Sequence, residues 1–212
     1  MITHRFDVKR LLGVIVLLSV GLFSGLLLVT ESLSGALLNE SFISLGVLLA
    51  WIYFERTGWR QRYLRVGGWF CDLPDLNGRW EGTLFRIGES SPESFVIEIC
   101  QTMSTIQCNT FSLNGHSESI CADIVTDQSK QNFRLVYTWL ASAGLLKGAE
   151  TGMFFGTTIL RFAEGSERLL EGEYFTGRRP TQTRGKINVK WKGRQLYSRF
   201  TASAEERVQC QS

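Results

Sequence analysis

Two apolar runs at the front of the chain restrict its fold more than any other feature. The first, Leu11–Val29, is about 19 residues long and carries no charge. A helix of that length can cross the ~30 Å hydrocarbon core of a bilayer. The second extends from about Ala36 to Phe54 and is uncharged after Glu40. A cleaved signal peptide has a shorter apolar region and no second run behind it. The runs therefore predict a two-helix transmembrane hairpin over residues 1–54.

Basic residues on both sides of the hairpin set its predicted orientation. They precede the first run and follow the second, at Arg5, Lys9, Arg10, Arg56, Arg60, Arg62 and Arg65. The connection between the runs carries Glu31 and Glu40 but neither Lys nor Arg. Because short cytoplasmic loops are enriched in Lys and Arg, both termini are predicted to be cytoplasmic.

The first run also contains a G-x-x-x-G spacing, formed by Gly21 and Gly25. Small residues at this spacing allow two membrane helices to approach closely. The pair is therefore a candidate oligomerisation surface. The same two glycines could instead pack the two helices of one hairpin, and the residues leave both possibilities open.

From Asn77 onward, apolar and polar residues alternate with the period of two that is typical of strands. The segments with this pattern are 78–87, 94–101, 104–112, 117–126, 131–140, 151–162, 168–176 and 184–192. Tight turn signals join most of them, which favours an up-and-down antiparallel sheet closed into a small eight-stranded, lipocalin-like β-barrel. The predicted domains are the hairpin, a juxtamembrane connector over 55–76, a cytoplasmic ligand-sensing barrel over 77–200 and a tail over 201–212.

Composition and motifs argue against an enzyme or a metalloprotein. The chain has only two histidines, so a His-based metal site is not expected. It has no nucleophile elbow, P-loop or H-E-x-x-H motif. Its five cysteines are an odd number without a C-x-x-C pair, which indicates reduced thiols in the cytosol rather than a disulfide framework. The sequence therefore predicts a binding protein with no catalytic residue, metal or cofactor.

The alternation also gives a candidate ligand site inside the barrel. The inward positions combine flat aromatic rings with hydroxyl groups, at Trp80, Tyr137, Trp139, Thr158, Tyr174 and Thr176. Aromatic planes can stack on a nucleobase, and hydroxyl groups can orient it. Arg178 and Arg184, on either side of a turn, would add guanidinium groups suited to phosphate. Each aromatic taken alone could equally be a core residue. In the first strand, Arg79 is expected on the opposite face from Trp80.

Three short motifs give the chain a family resemblance. They are Leu76–Gly82 (LNGRWEG), Leu170–Arg178 (LEGEYFTGR) and Thr183–Ile187 (TRGKI). Together with two predicted spans directly before eight strands, they resemble the two-transmembrane, β-strand-rich effectors of CBASS, the cyclic-oligonucleotide-based anti-phage signalling systems of bacteria. The residues in the candidate site come from alternation and the basic loop, not from this resemblance.

The resemblance implies a sensor joined to a killing module. In that family the barrel binds a cyclic dinucleotide made by a partner nucleotidyltransferase, with no DNA or RNA partner. Binding drives homo-oligomerisation, and the spans then disrupt the lipid of the bacterial inner membrane, causing abortive infection. A cytoplasmic barrel agrees with a messenger that is made in the cytoplasm.

Two other functions stay open at this point. The G-x-W of Gly78–Trp80 is also similar to the lipocalin pattern, which implies a membrane-anchored lipocalin-like protein that binds an apolar ligand. The third possibility is a structural subunit whose solid barrel docks a partner protein. The identity and linkage of a cyclic nucleotide, and the number of copies that assemble, do not follow from the residues.

Overall fold

The computed structural model describes a helical segment and a β domain. The described ranges are residues 40–61, 73–88, 91–112, 115–126, 132–143, 154–164, 167–177 and 182–199, together with scattered positions between 13 and 28. Those scattered positions are helical, and α1 covers Glu40–Arg56, followed by a 3-10 helix at Gly58–Arg60. No helix in this described part combines the length and the apolar composition of a membrane span. The predicted connection of the hairpin and the predicted tail lie outside the described residues.

The chain forms two compact units. The first comprises Met1–Asp75 with Thr102–Thr105, and the second comprises Leu76–Gln101 with Ile106–Ser212. In the first unit, the carboxylate of Glu55 accepts hydrogen bonds from the Thr102 hydroxyl at 2.7 Å and from the Ser104 amide at 3.0 Å. The 102–105 turn is therefore fixed by a residue near the end of α1.

The second unit contains a closed barrel of eight described strands. They are β1 Gly78–Arg86, β2 Glu93–Gln101, β3 Ile106–Ser112, β4 Gly115–Thr126, β5 Phe133–Ala143, β6 Phe154–Glu164, β7 Arg168–Thr176 and β8 Arg184–Gly193. Each strand pairs antiparallel with the next along the chain, and β8 pairs with β1 to close the barrel. The predicted up-and-down, eight-stranded antiparallel barrel is confirmed.

Some strand boundaries differ from the prediction for identifiable reasons. β3 begins at Ile106 rather than at residue 104 because the Thr102 amide donates to the Thr105 carbonyl, which closes a turn there. β4 begins two residues earlier than predicted, at Gly115, where it pairs with Ala143. That pairing also carries β5 three residues beyond its predicted end at 140. Between Ser119 and Cys121, the described part of β4 has one residue more than the paired part of β5, which is a β-bulge. Inward and outward positions therefore continue to alternate along β4 on both sides of the bulge.

One part of the outer face is covered by the chain itself. Arg79 points away from the barrel interior, but its side chain and that of Glu98, its cross-strand neighbour, are each only 2% exposed. The Arg79 guanidinium donates to the Glu98 carboxylate at 2.7 Å, and the Tyr197 and Ser198 amides donate to the same carboxylate at 2.8 and 3.0 Å. The chain after β8 therefore covers this ion pair and excludes solvent. The ion pair and the two amide hydrogen bonds offset the free-energy cost of burying the charges.

Candidate ligand-binding site

Strand direction defines two ends of the barrel. At the end where β1 begins, Trp80 is the first large inward side chain, and we call it the Trp80 end. At the opposite end β7 finishes with the inward-facing Thr176, and we call it the Thr176 end. Because all neighbouring strands are antiparallel, even-numbered strands begin at the Thr176 end. The position of every inward residue along the barrel follows from this rule.

The register brings five of the predicted site residues together on β5, β6 and β7. Tyr137 pairs with Thr158, and Thr158 pairs with Tyr174. In the next row towards the Thr176 end, Trp139 and Thr176 both pair with Gly156. All five predicted residues are buried. Side chains directly opposite one another on a sheet lie about 4.5–5.5 Å apart at Cβ, so the two rows form one continuous surface.

Trp139 is held in this surface by three contacts. Its indole nitrogen donates to the Thr158 hydroxyl at 2.9 Å. The Phe154 ring lies edge-on to it with ring centroids 5.8 Å apart. A Cβ at Gly156 would come within 2.2 Å of the Trp139 ring, so this position accommodates the indole because it has no side chain. The glycine therefore belongs to the site although it offers no chemical group.

Further hydroxyl groups lie in the same half of the barrel. Thr110 and Ser117 are both buried and hydrogen-bond each other across β3 and β4. The Thr176 and Thr183 hydroxyls lie 2.8 Å apart, and the Thr183 amide donates to the Thr176 hydroxyl at 3.1 Å. The sequence list omitted Thr110 and Ser117. The alternation of Ile106, Cys108 and Thr110 within the predicted third strand could have identified the first of them.

Tyr137 carries the most enclosed hydroxyl of the set. Its side chain is 1% exposed, and the hydroxyl faces Thr158 without hydrogen-bond geometry. Burial raises the pKa of the Tyr137 phenol, and nearby Cys108 raises it further, whereas Thr158 opposes the rise. Cys108 is a free, buried thiol whose pKa is raised by the same desolvation. Both groups are therefore neutral at physiological pH, and the phenol is available as a donor.

The opposite end is closed by a cation enclosed by aromatic rings. The Arg168 guanidinium lies 5.0 Å from the ring centroid of Trp191, 5.5 Å from Trp80 and 5.8 Å from Phe162. Cation–π contacts of this kind are worth roughly 0.5–2 kcal/mol each. Trp80 thus lies with Arg168, apart from the other predicted aromatics, and its expected contact with ligand stays a prediction.

The chain before β1 completes this closure. The Trp80 indole nitrogen donates to the Leu76 carbonyl at 2.9 Å, and the Leu76 amide donates to the Gln101 side chain at 2.7 Å. Gly78 has a φ of +127°, a conformation that favours glycine. A Cβ there would also lie 2.3 Å from the Gly193 carbonyl oxygen. The G-x-W motif is therefore explained by packing at the Trp80 end.

The remaining predicted residues lie elsewhere. Arg184 is exposed at the Thr176 end, on the outward side of the alternation and opposite Phe175. Arg178 lies outside the described residues. Gly21 and Gly25 are helical, and a Cβ built on either would meet no atom within 4 Å. Their assignment to oligomerisation stays a prediction.

The fold and its lining define a small β-barrel binding domain, with aromatic rings and hydroxyl groups in one half of its interior. Comparison with known families gives the particular relationship. Residues 71–191 match the Cap15 cyclic dinucleotide receptor domain, which is more than half of the chain. The chain therefore belongs to this family.

Two curated relatives support the assignment. The chain is similar to CD-NTase-associated protein 15 of Staphylococcus schleiferi, with 30% identity over 152 residues that cover 71% of this chain and 74% of the relative. It is also similar to CD-NTase-associated protein 15 of Yersinia aleksiciae, with 28% identity over 145 residues that cover 65% of this chain and 64% of the relative. Both matches are too long to be confined to the short motifs around Trp80 and Tyr174.

Proposed function

We propose that this protein is a membrane effector of a bacterial CBASS system and that its barrel is the receptor for a cyclic dinucleotide. The observation that carries the proposal is the double row of Tyr137, Thr158 and Tyr174 beside Trp139 and Thr176, in a chain of the Cap15 receptor-domain family. The messenger would come from a partner nucleotidyltransferase.

The chemistry of the lining suits the two parts of such a ligand. Aromatic rings stack on nucleobases, and hydroxyl groups bond to their polar edges. The inward polar groups of the described Thr176 half are hydroxyls, an indole N–H and, where β1 ends, the ion pair of Arg86 and Glu93 at 2.6 Å. The bases enter the interior beside the hydroxyls in this proposal. The phosphates stay at the rim, where Arg86 and Arg184 supply guanidinium groups. Arg178, which follows β7 in the sequence, is the third candidate for phosphate.

Calorimetry of the full chain in detergent tests this proposal. Cyclic di-AMP, cyclic di-GMP, cyclic GMP–AMP and a cyclic trinucleotide serve as probes, with a linear dinucleotide as the control. We expect one cyclic dinucleotide to bind and Arg178→Ala to weaken it. Lys192→Ala, which removes an exposed cation at the other end of the barrel, should leave the affinity unchanged. Absence of binding by every cyclic probe would overturn the proposal, and a co-purifying fatty acid would favour the apolar-ligand function.

We further propose that the two apolar runs of residues 1–54 cross the bacterial inner membrane and are the output of the receptor. Their length and the basic residues around them support this topology, with both termini in the cytoplasm. Ligand binding promotes self-association, and the assembled spans disrupt the membrane, so that the infected cell dies. The Gly21–Gly25 spacing offers one helix contact for that assembly.

A hairpin exchange separates an active output from a simple anchor. Residues 1–54 are replaced by a two-span hairpin of matched length from an unrelated inner-membrane protein, and cell survival is measured with the nucleotidyltransferase active. We expect the exchange to abolish killing while the ligand affinity of the barrel is retained. Full killing by the exchanged protein would reduce residues 1–54 to an anchor.

A further inference from the structure

The outer face of β6 and β7 carries an exposed apolar patch near the Thr176 end. Phe155 is 56% exposed, Phe175 is 49% exposed and Ile159 is 39% exposed. Phe175 pairs with Thr157, which places it diagonally between Phe155 and Ile159 on the outward side of the neighbouring strand. Leu140 on β5 pairs with Phe155 and extends the patch. Contiguous exposed aromatic and aliphatic side chains of this kind mark interaction surfaces.

The closed barrel restricts how this surface can be used. β1 pairs with β8, so the sheet has no open edge onto which a further strand could be added. A partner must therefore pack on side chains that project from the outer face. Phe155, Phe175 and Ile159 are the large apolar side chains that project from this part of the face.

The charges of this face include one pair with a reciprocal arrangement. A further acid, Glu173, is exposed between Ile159 and Lys186, its two cross-strand neighbours. On the side towards the Trp80 end, Arg161 of β6 is the cross-strand neighbour of Glu171 of β7, and both side chains are exposed. A lipid surface presents charge of one sign, which would attract Arg161 and repel Glu171. A second copy related by a twofold axis presents both a positive and a negative group. In such an interface Arg161 of each copy can meet Glu171 of the other, because the contact between two residues occurs twice with the copies exchanged.

We propose that the outer face of β6 and β7 is a homotypic interface that docks a second copy of this chain. With the twofold axis along the seam between the two strands, β6 of one copy lies over β7 of the other. Phe155 then packs near Phe175 of the second copy, and Arg161 meets Glu171 of the second copy, twice per dimer. Glu173 lies over Ile159 of the second copy and keeps Lys186 of its own chain as its cross-strand neighbour. The inference deepens the self-association step of the proposed function and rests on it.

Charge reversal in mixed copies tests this arrangement. Full-length chains with two different affinity tags are co-expressed and purified in detergent, with and without the cyclic dinucleotide that binds best. In the first two arms, both tagged copies carry the same substitution, either Arg161→Glu or Glu171→Arg. We expect each substitution to reduce co-purification at least about tenfold, since like charges then face each other at both contacts. Lys192→Glu, a reversal on the outward side of β8 near the Trp80 end, should leave co-purification unchanged.

The decisive arm combines the two single variants. When a copy with Arg161→Glu meets a copy with Glu171→Arg, both contacts between the copies again join opposite charges, although neither chain has regained its own pair. We expect co-purification to return to within about twofold of the unmodified protein, since attraction is restored at both contacts. Failure of the mixture to recover, undiminished association of the single variants, or no association of the unmodified chain would each overturn the interface.

Two additional measurements keep the test interpretable. Circular dichroism melting establishes that each variant is folded, and Phe175→Ser provides a second disruption of the interface that does not depend on charge. Calorimetry with the same cyclic dinucleotide is run on every variant. Lost association with ligand binding retained supports the interface, and any weakening of affinity should be no larger than the effect of ligand on association, because the coupling is reciprocal. Absent ligand affinity in the unmodified chain defeats the proposed function, while the mixed-copy pattern still decides the interface.

Discussion

The two halves of the barrel interior are built from different kinds of residue. The Trp80 half is lined by fully buried aliphatic side chains and is closed by Arg168 among three aromatic rings. The aliphatic side chains are Ile99, Leu135, Leu160, Leu170 and Val189. The Thr176 half also contains buried aliphatic side chains, Leu84 and Ile187, but adds hydroxyl groups to them and to its aromatics, at Thr110, Ser117, Thr158 and Thr176. Burying an apolar side chain stabilises the fold directly, whereas burying a hydroxyl costs free energy unless it is hydrogen-bonded.

This difference teaches how one small domain can combine stability with recognition. In a barrel of eight strands every inward residue competes for one narrow interior. If both halves were mixed, a change that altered the ligand site would also disturb the core. Separation along the barrel axis lets the Trp80 half supply stability, while the Thr176 half carries polar groups that can also bond to a ligand. Four substitutions test this separation, in order of decreasing expected effect.

The largest effect is expected from Leu160→Ala in the Trp80 half. Leu160 is fully buried, so the truncation removes apolar contacts and leaves a cavity that costs about 2–5 kcal/mol. Denaturant unfolding of the full chain in detergent measures the loss. Leu169→Ala, a half-buried position on the outward side of β7, is the matched control and should cost less. Equal losses at the two positions would contradict a core in this half.

Trp80→Phe tests whether Trp80 belongs to the core or to the ligand site. The substitution removes the hydrogen bond to the Leu76 carbonyl and part of the aromatic surface around Arg168, so we expect the free energy of unfolding to fall by about 1–3 kcal/mol. Ligand affinity, measured by calorimetry on the folded variant, should be unchanged. A tenfold loss of affinity would show that the ligand reaches the Trp80 end and would remove the distinction between the two halves.

The barrel and most of its lining were predictable because alternation is a local property. A residue and its second neighbour share a face of a strand whatever lies around them. Tyr137 and Trp139 on β5, and Tyr174 and Thr176 on β7, could therefore be assigned inward before any pairing was known. Antiparallel order followed from the tight turns, which join neighbouring strands.

The position of Trp80 along the barrel could not be predicted in the same way. Alternation says which face a side chain occupies but not which residues lie at its level on other strands, because that depends on register. Arg79 shows a second limit, since its burial comes from Tyr197 and Ser198, more than a hundred residues away. The alternation along β1 does not show that a distant segment of the chain packs over the outer face of that strand.

Tyr174→Phe tests the Thr176 half with a change that alters one atom. Tyr174 is 5% exposed, and the phenylalanine ring preserves its packing. If the hydroxyl bonds to the ligand, its loss should weaken cyclic dinucleotide binding roughly 2- to 13-fold. Stability should change by about 1 kcal/mol or less. Phe85→Tyr, the reverse exchange at an exposed position on the outer face of β1, is the control and should leave affinity unchanged. Unaltered affinity in Tyr174→Phe would return Tyr174 to core packing alone.

The smallest effect at neutral pH is expected from Tyr137→Phe, because the buried hydroxyl lacks hydrogen-bond geometry with protein groups. Its removal should raise the free energy of unfolding slightly, by about 0.5–1 kcal/mol, because a buried hydroxyl without a hydrogen bond costs free energy. The variant differs more at alkaline pH. Burial raises the pKa of Tyr137 in the folded state, so the unfolded chain loses this proton first, above about pH 10. Stability that depends on the protonated phenol is therefore complete below that pH and decreases above it.

Unfolding curves between pH 8 and 11 measure this dependence as a difference between the two proteins, which removes the contributions that do not involve Tyr137. The unmodified chain should lose up to about 1.4 kcal/mol per pH unit more than Tyr137→Phe once the unfolded phenol ionises. Parallel curves would mean that the hydroxyl is as well solvated in the barrel as in the unfolded chain. Water would then reach the Tyr137 hydroxyl in the folded barrel. The solvated part of the interior would extend from the Thr176 end at least as far as Tyr137, and the boundary between the two halves would lie closer to Trp80.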